Sequence, residues 1–166
     1  MKPIIATESG KARIFYLFLF QCNNKSYDKR LYPNEKQNKI ILLSVGIFLA
    51  LTEIYKQLFY YFVIEDGHYP LWIFPFQLCS IPMYFCIFVP LIKNEKVKNA
   101  CYNFLLAFNL MGGFISFLEP SGLLHEYVTL TLHAFIWHMT LVFVGLYLGF
   151  SKRAGQNLKD FNGAFI

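Results

Sequence analysis

The sequence predicts an all-α fold, a polytopic transmembrane helical bundle with four clear spans and a short N-terminal apolar segment. Hydrophobic residues make up 56% of the 166 residues, and a soluble domain of this size cannot bury that much apolar surface. Charged residues make up only 15%, whereas soluble domains carry about 25%. The composition therefore excludes a soluble globular domain, a disordered chain, a disulfide-rich toxin and a nucleic-acid-binding module.

Long apolar windows define the four spans. Three windows contain no Asp, Glu, Lys or Arg, and another is interrupted by Glu53, Lys56 and Gln57. Each window is long enough to cross a hydrocarbon core, which takes about 20 helical residues. Pro75 and Pro82 predict that the helix in the second window is kinked or opened. The predicted spans lie near residues 40–64, 70–92, 100–118 and 127–150.

The segments on either side of the spans are basic. Residues 1–39 are predicted to form a cytoplasmic arm, in which the apolar stretch at residues 14–20 is too short to cross a membrane unaided. Residues 151–166 are predicted to form a cytoplasmic tail or the beginning of a further span. Outside the spans, Lys and Arg occur in the arm, in residues 93–99 and in the tail, while the other two loops have none.

This distribution of charge predicts the orientation of the protein. Loops rich in Lys and Arg face the cytoplasm, so we expect a multi-pass cell-membrane protein with its N-terminus and its C-terminal tail inside. The net charge of +5 is then explained by contact with anionic membrane lipids. Membrane lipids are therefore the expected partners and nucleic acid is not, while the sequence makes no prediction about oligomeric state.

Every predicted span carries a polar residue at a similar depth. Counted from the outer end of each helix, these residues lie roughly 14–17 Å inside the membrane, near its midplane. They are Glu53, Cys79, Asn109 and His138. Polar residues in a membrane are energetically costly and often functional, so this layer predicts an enclosed site or a translocation path. Three more polar side chains lie close to the layer, those of Lys56, Gln57 and Gln77. A fourth, that of His133, lies nearer the outside.

Glu53, Lys56 and Cys79 each have a structural and a functional interpretation. Glu53 and Lys56 share one helix face. In the structural interpretation they neutralise each other. In the functional interpretation they act on a substrate, and Lys56 is placed to hold a lipid phosphate. Cys79 is either a small packing residue or a site residue, because the prolines on both sides predict open backbone that lines a cavity. The same two interpretations apply to the remaining polar residues of the layer.

The two histidines in the last span are also candidates. His133 and His138 are five residues apart, which is a rotation of about 140° on a helix, so they cannot both face one point. A Cys79 thiolate with His138 as its base would form an acyl-accepting nucleophile. The spacing of Cys and His matches no metal-ligand motif, so neither a metal nor another cofactor is expected.

Four short motifs follow one another along the chain. They are TEIYKQ at residues 52–57, FPFQLCS at 74–80, FNLMGGF at 108–114 and LHAFIWH at 132–138. In this order they resemble the YwaF-type bacterial integral membrane family, which is related to the transmembrane protein 164 acyltransferase family. The resemblance implies a seven-span bundle, so this chain with four clear spans is interpreted as a shortened form of that fold.

The resemblance also implies an activity. The eukaryotic branch of the family is described as a lipid acyltransferase in which a cysteine carries the acyl chain. Matched to this sequence, the family cysteine is Cys79 and the family histidine is His138, with His133 as the second choice. Bacterial relatives often have His at the position of Gln77.

Three functions are compatible with the sequence. The first is a membrane lipid acyltransferase that takes its acyl group from a phospholipid donor, with Glu53 or Asn109 orienting the reacting groups. The second is a small-molecule or ion transporter, or a binding protein, whose site is the polar Glu, Lys and His layer at the midplane. The third is a structural membrane subunit without catalysis, in which the polar residues only join helices.

Overall fold

The computed structural model describes residues 33–154. Residues 1–32 of the N-terminal arm, which include its apolar stretch, and residues 155–166 of the tail therefore lie outside the described residues. The described range contains four α-helices and no strand, which confirms the predicted all-α bundle. The helices are α1 (Glu35–Phe59), α2 (Ile81–Phe88), α3 (Glu95–Leu118) and α4 (Val128–Phe150).

Three long helices correspond to the first, third and fourth apolar windows. Each is long and apolar enough to cross a membrane, and α1 continues through a single π-helical turn to Ile64. Their outer faces expose large apolar side chains such as Leu51 and Met139, each 61% exposed. These faces contact lipid in a membrane, because lipid tails are as apolar as the side chains themselves.

Asparagine caps explain why α1 and α3 begin before their apolar windows. The Asn34 side chain accepts a hydrogen bond from the Gln37 backbone N–H at 2.8 Å, and the Gln37 side chain accepts one from the Asn34 N–H at 2.9 Å. Asn94 accepts hydrogen bonds from the backbone N–H groups of Lys96 and Val97 in the same way. Such caps satisfy N–H groups that a helix start leaves without partners, so each helix has a polar first turn.

The second window is not a continuous helix. Its helical stretch covers Leu78–Leu91, with 3₁₀ turns on both sides of α2. This stretch is about 21 Å long at 1.5 Å per residue, which is shorter than a hydrocarbon core. Pro82 lies in the first turn of α2, where the α-helix itself does not use the N–H that proline lacks. Pro75 lies outside any helix, in a stretch that we call the open segment (residues 70–80). This segment contains two short 3₁₀ turns, Leu71–Ile73 and Leu78–Ser80, and the second turn is also the beginning of the helical stretch.

Glycines set the distance between neighbouring helices. Gly46 of α1 lies against Ile87 of α2, and Gly113 of α3 lies against Val142 of α4. Small residues allow the backbones of membrane helices to approach closely, which is a main source of helix association in lipid. Leu49 of α1 clusters with Met83 of α2, so the two helices run antiparallel. Continued toward the C-terminal end of α1, this register brings the end of the open segment level with the C-terminal half of α1.

Polar contacts join α1, α3 and α4 at the opposite end of the bundle. The Asn38 side chain donates to the Tyr102 hydroxyl at 2.9 Å and accepts from the Tyr147 hydroxyl at 2.9 Å. Asn38 is 1% exposed, so both bonds satisfy buried groups. Close by, Arg153 forms an ion pair with Glu35. This end carries the basic loops that the sequence predicts to be cytoplasmic.

Candidate functional site

Glu53 is a nearly buried carboxylate on α1, with 4% of its surface exposed. Lys56 Nζ lies 2.8 Å from Glu53 Oε1, and Gln57 Nε2 donates to the same oxygen at 2.6 Å. The helix brings the three side chains together because residues three and four positions apart share a face. The predicted ion pair is therefore present, and it compensates the cost of burying a charge.

Gln57 also joins the ion pair to the open segment. Its Nε2 donates a second hydrogen bond to the carbonyl oxygen of Ile73 at 2.7 Å. The hydroxyl of Tyr69, an exposed residue, donates to Gln57 Oε1. One amide side chain thus contacts the Glu53 carboxylate, the backbone of the open segment and a residue at the surface.

The backbone carbonyls of the open segment find partners among side chains. Trp72 accepts a hydrogen bond from Gln77 Nε2 at 3.3 Å, and Pro75 accepts one from the Tyr84 hydroxyl at 3.0 Å. The carbonyl of Cys79 accepts one from the indole Nε1 of Trp137 on α4 at 3.1 Å. Non-helical backbone is tolerated within a membrane only where its polar groups are satisfied or line a cavity. The structure therefore has the opened backbone that the two prolines predict.

Cys79 lies at the junction between the open segment and the helical stretch and is half-buried. Its Sγ lies 3.9 Å from Gln77 Oε1, a distance at which a thiol donates a weak hydrogen bond. The side chain packs against the buried cluster that contains Leu49, Met83 and Trp137. Cys79 and Gln77 therefore lie together at the beginning of the helical stretch.

Helix α4 turns Trp137, and not His138, toward Cys79. Trp137 faces Cys79, and His133 lies one turn away on the same face, with 5.5 Å between the two ring centroids. His138 directly follows Trp137 and is rotated by about 100° from it, and its Nδ1 lies 2.8 Å from the Ala134 carbonyl oxygen of its own helix. His133, the second choice from the sequence, is therefore the histidine that shares a helix face with Trp137, the α4 residue that contacts Cys79.

His133 lies near the Glu53–Lys56 pair of α1. Its ring lies beside the backbone of Thr52 on α1, and the charges of Lys56 and Glu53 act on it. Its Nε2 is buried and has no hydrogen-bond partner within residues 33–154. A buried polar atom without a partner is rare and requires an explanation, and a catalytic or ligand-binding role supplies one.

Asn109 is the other buried group without a partner. It is 0% exposed on α3, and neither its Nδ2 nor its Oδ1 makes a hydrogen bond in the part of the chain that the structure describes. It lies one turn before Gly113, which packs against α4. No described hydrogen bond joins it to Glu53 or Cys79, so its place in the predicted polar layer stays a prediction.

Sequence reasoning missed Trp137 as part of the site. A signal was available, because tryptophan in membrane proteins concentrates at the two interfaces, whereas Trp137 lies in the middle of α4. Its 4% exposure agrees with a role inside the bundle. Metal ligation has no support in residues 33–154, where no group of three or more His, Cys, Asp or Glu side chains could hold an ion.

Comparisons with known proteins give one match. No curated protein and no solved structure matches this chain. The model of the TMEM164 family matches residues 11–166, which include the four sequence motifs and all described helices. Together with the apolar helices, this match identifies an integral membrane protein. The chain belongs to the TMEM164 family.

Proposed function

We propose that this protein is a membrane lipid acyltransferase in which Cys79 carries the acyl group and His133 acts as the base. The observation that carries the proposal is the buried Nε2 of His133, which has no described partner and belongs to a ring beside Trp137, the residue that donates to the Cys79 carbonyl. A thiol needs such a base to become a nucleophile. The order of the four motifs supports the YwaF-type branch of the family.

The proposed reaction has two halves. In the first, His133 Nε2 takes the Cys79 proton and the thiolate attacks the carbonyl carbon of a phospholipid acyl ester. The ester C–O bond breaks, His133 returns the proton to the leaving glycerol oxygen, and a lysophospholipid departs from the acyl thioester. In the second, His133 takes a proton from the hydroxyl of an acceptor lysophospholipid, whose oxygen attacks the thioester. The thiolate that leaves takes back the proton from His133.

The open segment offers a route for the ester bond to reach Cys79. Glycerol esters lie near the lipid headgroups, whereas Cys79 lies deeper at the inner end of the open segment. Hydrogen-bonding groups follow one another along this path, from Tyr69 to Gln57 and the carbonyl of Ile73. In this proposal Lys56 and Glu53 hold or orient the polar part of the lipid, and Asn109 and Gln77 are further polar groups of the site.

The test is capture of the acyl-enzyme. The protein is reconstituted in lipid nanodiscs with a phospholipid that carries an alkyne-tagged acyl chain, and tag bound to protein is measured before and after hydroxylamine. We expect a hydroxylamine-sensitive adduct that is absent in Cys79→Ala. In His133→Gln we expect adduct formation to fall by about 100-fold or more, which is typical for loss of a general base.

His138→Gln is the matched comparison, because it makes the same change on the same helix away from the Cys79 face. We expect it to form the adduct at close to the wild-type rate. An adduct that persists in Cys79→Ala would contradict the role of the cysteine. Loss of the adduct in His138→Gln with retention in His133→Gln would contradict the choice of base.

The buried Glu53–Lys56 pair favours a second candidate function, transport or binding of a small molecule or ion. Intramembrane charge pairs often mark substrate and proton pathways, and Tyr69 and Gln57 connect this pair to the surface. Uptake into proteoliposomes that is lost in Glu53→Gln, without any acyl adduct on Cys79, would support transport over acyl transfer. The absence of both activities would favour a structural subunit.

The proposal also includes the membrane in which the protein lies and the orientation of the chain across it. The alternation of basic and acidic loops supports a multi-pass cell-membrane protein with the N-terminus and the C-terminal tail in the cytoplasm. In this arrangement the open segment lies toward the outside. Fusion of a reporter enzyme to each terminus, assayed in intact cells, tests the orientation. A signal from outside the cell at either terminus would contradict it.

A further inference from the structure

We infer that Trp137 is a positioning residue that holds the Cys79 backbone and the His133 ring in one fixed arrangement. The role of this arrangement in acyl transfer rests on the proposed function. Trp137 is 4% exposed and packs with Leu49, Met83 and Leu141 in a buried cluster between α1, α2 and α4. Its ring is therefore fixed by packing before it forms any polar contact.

The first contact gives the Cys79 carbonyl a hydrogen-bond donor that its own turn cannot provide. In a 3₁₀ turn the carbonyl of Cys79 would accept from the N–H of the residue three positions later. That residue is Pro82, which has no N–H. The indole Nε1 of Trp137 donates to this carbonyl at 3.1 Å. The bond also joins α4 to the end of the open segment, next to the proposed nucleophile.

The second contact fixes the histidine. The His133 ring lies one turn from Trp137 on the same face of α4, with centroids 5.5 Å apart and planes inclined by 35°. A general base must come within hydrogen-bond reach of the proton that it takes, and small displacements cause large losses in rate. A residue that touches both groups is therefore placed to set their distance.

The experiment measures the reactivity of each cysteine with a membrane-permeant maleimide in native membranes, resolved by mass spectrometry of the labelled peptides. Trp137→Phe keeps an aromatic ring beside His133 and removes the N–H together with part of the buried ring. We expect Cys79 labelling to become about threefold to tenfold faster, the range that loss of one hydrogen bond gives. Labelling of Cys101, on α3, should not change and reports on the rest of the fold.

Trp72→Phe is the matched control. Trp72 is the other tryptophan of the chain and is 64% exposed. Its ring packs on Tyr60, and only its backbone carbonyl takes part in the hydrogen bonds of the open segment, so we expect this variant to label like the wild type at both cysteines. Unchanged Cys79 labelling in Trp137→Phe would overturn the inference. An equal increase at Cys79 and Cys101 would overturn it as well, because it would indicate general loosening of the bundle.

A second measurement separates this inference from the proposed function. In the acyl-capture assay we expect Trp137→Phe to slow adduct formation by about tenfold, because the base is no longer held at its working distance. If the wild type forms no adduct, the proposed function fails, and the labelling comparison still tests the position of Cys79. If the wild type forms the adduct and Trp137→Phe forms it equally fast, the positioning role is wrong.

Discussion

Glu53 is a charged residue in an apolar bundle, and its two partners make its burial possible. Lys56 and Gln57 both donate to the same carboxylate oxygen, Oε1, at 2.8 Å and 2.6 Å. Both partners come from the same helix, so the pair forms wherever α1 forms. Removal of one partner would leave the other charge without compensation in surroundings that solvate it poorly.

Breaking this pair should destabilise the protein more than replacing it. We expect Glu53→Gln to lower the free energy of unfolding by about 3 kcal/mol, because Lys56 then remains as an unpaired buried charge. The double variant Glu53→Gln with Lys56→Met should recover most of that loss. Thermal unfolding of the four members of this cycle in one detergent measures the coupling. A double variant no more stable than Glu53→Gln would contradict the account.

The ion pair and the choice of histidine differ in how far the sequence could predict them. The pair follows from two residues three positions apart on one helix, which is local information. The choice between His133 and His138 depends on the rotation of α4 about its axis. That rotation is set by contacts with other helices, including the bond from Trp137 to the Cys79 carbonyl. A single sequence carries no direct record of such long-range contacts.

At the scale of elements, the open segment is the part that the apolar pattern describes least well. Hydropathy predicts a span at residues 70–92, but it does not distinguish a helix from satisfied irregular backbone. The prolines predict an opening, and the structure adds how the opening is stabilised. Gln57, Tyr84 and Trp137 each donate to a carbonyl of this segment, so helices on both sides replace the missing helical hydrogen bonds.

Gln57 should therefore control the local stability of the open segment. In Gln57→Met, which has a similar length but no donor, the carbonyl of Ile73 loses its side-chain partner. We expect amides of residues 70–80 to exchange with deuterium about threefold to tenfold faster, the range that loss of one hydrogen bond gives. Hydrogen exchange with mass spectrometry in nanodiscs measures this, with peptides from α3 as the internal control. Exchange that rises equally in α3, or not at all, would count against it.

At the scale of the whole molecule, α3 and α4 pack closely along most of their length. Gly113 meets Val142, Gly145 meets Leu110 and Gly149 meets Leu106, a regular antiparallel series. Gly112 and Gly113 are neighbours in the sequence, and the sequence alone does not show which of them packs against another helix. The structure distinguishes them, because the space beside Gly112 is open whereas Gly113 has no space for a side chain.

The two neighbouring glycines therefore provide a matched test of the whole bundle. A Cβ at Gly113 would lie 2.3 Å from Val142 Cγ2 and 3.4 Å from the carbonyl oxygen of His138. The Val142 side chain cannot easily rotate away, because β-branched side chains are stiff in helices. We expect Gly113→Ala to lower the free energy of unfolding by about 1–3 kcal/mol through overpacking. A Cβ at Gly112 would meet nothing within 4 Å, so Gly112→Ala should be neutral or stabilising by about 0.5–1 kcal/mol, because alanine favours the helix. Thermal unfolding of both variants in the same detergent measures the difference, and equal effects at the two positions would show that α3 and α4 do not pack in this register.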